Sequence, residues 1–495
     1  MIKILENDNK FLIAFFAFGI LGVLSNPIFL GILAYILIII ALIDVFKNSN
    51  QDGQAHLYMG MFGSLELLLR MSKAISPHEI SKYIIIIFSI LGLFFTKKRR
   101  KSNAFGLLFI LVLLPSLVQV SITKELWLES IVSNVLGPIS LGVFLIYFYR
   151  YEINKIDIRN LIRAIILPLF SVLVFIQNNT ITFDEISEVD FTASNLSLSG
   201  NFGPNQVSVI FGIGFALLLY SIFFGIKIFK YRLLDIAFLI IFAFRGFLTF
   251  SRGGISVPFV AFALVVLLSF VRIRDIKAFR RGISLVIGGV IFYLVFLLAN
   301  VITGSALEKR FAGETGVTEK TGERDLLSGR DQIVMIDLQI FSDNMLLGVG
   351  PGMAKPLRYY CGFANAVAAH TEFSRLLAEH GLLGAIAILL YTYIIINRRK
   401  YWKTFQNETF FLLFTWWIGF LNSNHNALRL GLTILFLGLI VGRTRINPKY
   451  FTKSAKNEYP DDWDAYLEEN AKAQEPNSAA SEPSKKLEQM ATLPR

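Results

Sequence analysis

Imidazole is the side chain best suited to moving a proton near neutral pH, and this 495-residue chain holds only five histidines. Four of them, His78, His370, His380 and His425, fall in or beside polar breaks between apolar runs. His370 stands just before a helix-like piece, Thr371 to Glu379. It lies in a long segment, from about Gly304 to His380, that also carries Arg310, Arg324, Arg330, Arg358, Arg375, Tyr359 and Glu372. Guanidinium groups grip a diphosphate through forked hydrogen bonds and stay charged at any pH. Two more arginines lie upstream. Arg245 sits inside an apolar run, where a charge is costly without a partner or a wet cavity. Arg252 follows seven residues on, which on a continuous helix puts both on nearly one face, about 10 Å apart. Arginines gathered around one poised imidazole suit a phosphorylated substrate and a proton transfer. Plainer roles compete: a His before a helix can simply cap it, Arg252 can snorkel to lipid headgroups, and Arg245 can pair with an internal carboxylate. Cys361 is the only cysteine, which excludes an intrachain disulfide and a cysteine-based metal site; it reads as a small packed hydrophobe.

The elements that must hold these residues are apolar. Hydrophobic residues make up 54% of the chain and charged residues only 17%, too apolar for a soluble fold. Runs long enough to approach or cross a hydrocarbon core fall near 11–25, 28–45, 82–96, 104–121, 130–148, 161–177, 205–225, 233–250, 255–271, 283–302, 382–396, 408–423 and 427–442. The net charge of +12 does not indicate a nucleic-acid face. Its lysines and arginines cluster beside the apolar runs, as in cytoplasmic loops. These clusters are Lys97 to Lys101, Arg150 to Arg159, Lys227 to Arg232, Arg272 to Arg281, Arg398 to Lys403 and Arg443 to Lys449. Helices that alternate from Lys97 onward bring every cluster to the inner side. The same parity makes Tyr58 to Leu69 a further crossing, with Glu66 and Arg70 able to pair at i, i+4; a re-entrant hairpin is the alternative.

The predicted fold is therefore an all-α polytopic membrane protein of about 12–14 transmembrane helices, with both termini cytoplasmic. Residues 1–303 form the first part of the bundle, with an outer loop at 178–204. Residues 304–380 form a large outer loop with short helices around Gly348-Val349-Gly350-Pro351-Gly352. Residues 381–450 return to the membrane, and 451–495 form a disordered cytoplasmic tail. The first apolar run reads as a retained helix, with no cleavable signal peptide evident.

Four segments in order resemble the O-antigen ligase and O-antigen polymerase superfamily of bacterial inner-membrane glycosyltransferases. They are Gly200-Asn201-Phe202-Gly203-Pro204-Asn205, Thr249-Phe250-Ser251-Arg252-Gly253-Gly254, Ser328-Gly329-Arg330 with Leu347 to Gly352, and Ala369-His370-Thr371-Glu372-Phe373 running on to Gly384. Thr371 departs from the Asn that commonly follows this His. The resemblance implies a GT-C-like fold and transfer of a glycan from undecaprenyl diphosphate to an acceptor hydroxyl on the periplasmic side, metal-independent, inverting and without a cofactor. It implies Arg252 and Arg330 on the diphosphate and His370 on the acceptor's proton. The residues themselves add Glu372 as partner or rival of His370. Arg245, Arg358, Tyr359, Arg375 and Asn205 are candidate diphosphate or glycan contacts, and a lateral cleft for the prenyl chain is expected near Arg252. The acceptor is lipid A-core for a ligase or another lipid-linked glycan for a polymerase. A protein O-oligosaccharyltransferase and a lipid-linked sugar flippase are the alternatives.

Overall fold

The computed structural model describes residues 1–95, 104–120, 128–180, 194–272, 276–314, 329–361, 369–398 and 407–444. Residues 97–101, 273–275, 399–403 and 445–449 of the basic clusters, Arg324, Ser328 and the C-terminal tail lie outside the described residues. Met1–Thr444 forms one compact unit, and it is an all-α polytopic membrane protein.

Every apolar run in the sequence lies on a helix. In chain order these are α1 (Ile2–Leu5), α2 (Asp8–Val23), α3 (Pro27–Lys47), α4 (Gln54–Met71), α5 (Ile80–Phe95), α6 (Ala104–Leu113), α7 (Leu128–Phe148), α8 (Lys155–Asn179), α9 (Pro204–Phe223), α10 (Arg232–Leu248), α11 (Arg252–Arg272) and α12 (Ile276–Ile302). The outer segment adds α13 (Ala306–Phe311), α14 (Arg330–Asp343) and α15 (Ala354–Tyr360). The chain then returns through α16 (Glu372–Arg398), α17 (Asn407–Asn426) and α18 (Gly431–Leu439). Among the described residues, seven of these helices are long and apolar enough to cross a membrane.

Local chemistry sets the helix starts. Asn26 accepts from the amides of Ile28 and Phe29 at 2.9 and 3.1 Å, and Pro27 at the first position removes a donor that would otherwise go unpaired. Asn154 and Asp157 form a reciprocal capping box at the start of α8. Ile32, Ile36, Ile39 and Ile43 on α3 face outward. Such a stripe suits lipid contact rather than water.

The predicted crossing at 58–69 is a single helix, not a hairpin. All 18 residues of α4 are buried, so it runs through the centre of the bundle. Near its start, Asn50 reaches the Tyr147 hydroxyl at 3.2 Å. Near its end, Arg70 bonds Glu66 at 2.7 Å, the pairing expected from their spacing. Around it, α8 packs on α2 and α4, and α9 lies against α10 and α11. At the Tyr147 end, Glu152–Ile153 pairs in parallel with Arg443–Thr444, and buried Arg163 donates to the carbonyl of Ile228 and the carboxylate of Asp8. Arg163 thus ties the segments of that end together.

One expectation fails. Arg245 and Arg252 do not share a helix face, because α10 stops at Leu248 and α11 starts at Arg252. Thr249 bonds back to the carbonyl of Gly246 at 2.8 Å, and Phe250 takes a left-handed φ of 58°. The chain reverses there.

Candidate active site at the convergent helix ends

The end of the bundle opposite Tyr147 gathers helix termini from distant parts of the chain. Ser251 Oγ, in the α10–α11 turn, donates to Asn205 Oδ1 at the start of α9, at 2.7 Å. Its oxygen also lies 3.5 Å from Nε2 of His425, at the end of α17. A methyl group on Gly253 would meet the His425 ring at 2.2 Å, so only glycine allows the turn to approach so closely. Next to Asn205, Gln206 Oε1 accepts from Arg70 at 2.9 Å. The link between α17 and α18 closes the ring: the amide of Ala427 donates to the carbonyl of His370 at 3.0 Å, and Arg429 donates to the carbonyl of Ala369 at 2.9 Å. Arg330 heads α14, near enough for its charge to reach both His370 and His425.

This cluster brings together Asn205, the Arg252 turn, Arg330 and His370. Burial, then the charges of Arg429 and Arg330, push the His370 imidazole down to about 4. A hydrogen bond with the His425 backbone partly opposes them, and Arg358 adds to the downward push. At neutral pH His370 is therefore uncharged, with a lone pair available to a hydroxyl.

Other candidates have different partners. Glu372, expected beside His370, pairs instead with Arg375 and receives the Leu428 amide at 3.3 Å. A residue three positions on lies on the same helical face, whereas one two positions back does not. Arg375 is itself held between Glu372 and Glu379, the latter at 2.7 Å. Arg358 grips Asp337 through two nitrogens, at 2.8 and 2.5 Å, and Ser374 donates to the other Asp337 oxygen at 2.7 Å. These pairs fasten α15 and α14 to the head of α16. Thr371 bonds Ser374 there. Arg245 bonds the Gln177 side chain rather than a carboxylate. Tyr359 is exposed and edge-on to Tyr360. Among the described residues, no contact joins Arg245 or Tyr359 to the His370 cluster.

A small apolar cavity of about 30 Å³ lies beside Glu372, lined by Phe373, Leu376, Tyr391, Leu428 and Leu437 among others. It sits among α6, α7 and α16–α18. No residue of α9, α10 or α11 is among those that line it, so it is not the cleft expected near Arg252.

The Gly-rich outer motif has a structural task. Helix α16 breaks at Gly381, whose φ is 59° and ψ −138°. There the amides of Val349 and Gly350 donate to the carbonyls of Ala378 and Glu379 at 3.1 and 2.9 Å, and Leu382 donates to Met345 at 2.7 Å. A methyl group on Gly348 would meet the Glu379 carbonyl at 2.5 Å or closer.

Gln206 and Arg429 are not singled out by the sequence, and His425 stands out there only as one of the outer histidines, with no role attached. They flank apolar runs without a periodic or motif signal. Only the i, i+4 relation of His425 to Leu421 and Arg429 marks that stretch, and it carries no chemical meaning.

Apolar helices around a buried polar cluster, rich in arginine at one end, define a multi-pass membrane protein with a site suited to anions. The sequence profile of the O-antigen ligase family matches residues 236–389. The chain is similar to that family over this stretch, which bears out the resemblance to the O-antigen ligase and polymerase superfamily and supports O-antigen ligase-type, glycosyltransferase-like activity in general. The match takes in Arg245, Arg252, Arg330, Arg358, His370, Glu372 and Arg375, and leaves out Asn205, His425 and Arg429. No curated protein and no solved structure matches the chain.

Proposed function

We propose that the protein is a membrane glycosyltransferase that moves a glycan from undecaprenyl diphosphate to an acceptor hydroxyl on the periplasmic side of the bacterial inner membrane. The observation that carries this reading is the meeting of Arg330 and a neutral His370 with the Ser251–Gly254 turn at one end of the helices. Arg252 and Arg330 hold the diphosphate and stabilise its charge as it leaves. The acceptor oxygen attacks the anomeric carbon from the far side, the bond from that carbon to the diphosphate oxygen breaks, and the hydroxyl proton passes to His370. The diphosphate charge, once bound among the arginines, offsets the part of the depression of His370 that Arg429 and Arg330 cause, while burial, the larger cause, remains. The basicity of the imidazole then rises when substrate is present.

Arg330→Ala and His370→Ala, made separately and shown to remain in the membrane, should abolish glycan transfer. Activity kept in both overturns the mechanism. In a deletion strain, full-length glycan left on the carrier identifies a ligase and single repeats identify a polymerase.

A further inference from the structure

One cation of the cluster has no substrate contact in the reading above. Arg429 lies in the short link between α17 and α18, and its Nη2 reaches the carbonyl of Ala369, the neighbour of His370, at 2.9 Å. The link is fixed from behind. Arg70 Nη2 donates to the carbonyl of Arg429 at 3.2 Å, and the amide of Gly431 reaches Glu66 at 3.4 Å. The guanidinium is therefore presented by a pinned backbone toward the residues that carry His370.

The carboxylates nearby are committed to other cations. Glu66 pairs with Arg70, Asp337 with Arg358, and both Glu372 and Glu379 with Arg375. Glu79 attracts Arg429 most strongly, but it pairs with Lys82. Among the described residues, none lies within ion-pair distance of Arg429. A half-buried guanidinium with one carbonyl partner keeps most of its five N–H donors available. Such a charge is costly unless an anion completes it. The C-terminus of α17 supplies only part of that compensation.

We infer that Arg429 is a phosphate-binding residue, contributing a forked contact to the diphosphate of the lipid-linked donor beside His370. The inference rests on the donor reading above and adds a residue outside the stretch that matches the ligase family.

The test uses the full chain in detergent, with farnesyl diphosphate and farnesol as probes. Hydrogen bonds between charged groups contribute about 1.5–3 kcal/mol, so Arg429→Gln should weaken farnesyl diphosphate binding roughly 10- to 100-fold and leave farnesol binding unchanged. Arg429→Lys keeps a cation against the end of α17 and so preserves the fold, but lacks the fork; it should bind the diphosphate more weakly than wild type. If Arg330→Gln loses diphosphate affinity while Arg429→Gln and Arg429→Lys both match wild type, this inference falls and the donor reading stands. If wild type itself shows no preference for the diphosphate over farnesol, the donor reading falls and this inference with it.

Discussion

The amide of Ala427 donates to the carbonyl of His370 at 3.0 Å, so the end of α17 sets the height of the imidazole that heads α16. Ala427 makes this bond with a left-handed φ of 50°, a conformation that strains residues with a side chain. Glycine adopts it freely and valine does not. Ala427→Gly should keep both melting temperature and glycan transfer. Ala427→Val should lower transfer in membranes that contain normal amounts of protein.

His370 gives the fold a pH dependence. Its imidazole is held down to about 4 by burial and by Arg429 and Arg330, against about 6.5 in an unfolded chain. Between these values the unfolded chain binds the proton and the folded one does not. Stability is therefore full above about pH 6.5 and is lost as the pH falls toward 4. Melting curves at pH 7 and pH 4.5 should show a larger loss for wild type than for His370→Gln.

Arg358 and Asp337 form a fully buried pair. Removing one partner strands the other, at a cost of about 3–5 kcal/mol. Arg358→Met should lower the thermal transition sharply in detergent, and adding Asp337→Leu should recover most of the loss. An equal loss in single and double variants would point to packing rather than charge.

Glu372 separates a structural carboxylate from a catalytic one. Glu372→Gln leaves Arg375 paired with Glu379, so the transfer rate should fall far less than in His370→Gln. A drop as deep as that of His370→Gln would make Glu372 the base.

Gly253 allows the Arg252 turn to touch His425. With 2.2 Å available to a new methyl group, Gly253→Ala must displace the ring or the turn. Overpacking of this kind costs about 1–3 kcal/mol, so transfer should fall roughly 5- to 100-fold while insertion is kept. A rate equal to wild type would remove the turn from the site.

The helices were legible because apolar runs and basic clusters constrain one another, and Glu66–Arg70 because i, i+4 spacing on a buried helix leaves little alternative. The break between Arg245 and Arg252 was not. A left-handed turn usually announces itself with glycine or asparagine, and here a buried phenylalanine makes it. Glu372 offered two plausible partners, and only the helical rise decides for Arg375 over His370. Arg429, and the role of His425, were hidden for another reason. Arg429 reaches Ala369 across 60 positions and His425 reaches Ser251 across 174, and no local pattern reports such contacts.

The break at Gly381 carries a consequence for how a bulky lipid-borne molecule could enter. A helix within a bilayer normally keeps its hydrogen bonds to itself, since lipid offers no replacement. At Gly381, α16 shares them with the segment from Met345 to Gly350. Pulling the two apart would leave carbonyls and amides bare at the edge of the hydrocarbon. The outer segment and the upper part of α16 should therefore swing together as one stiff lever, with Gly381 as its pivot, and spin labels on Leu346 and Ser374 should hold their separation even as either moves relative to α9.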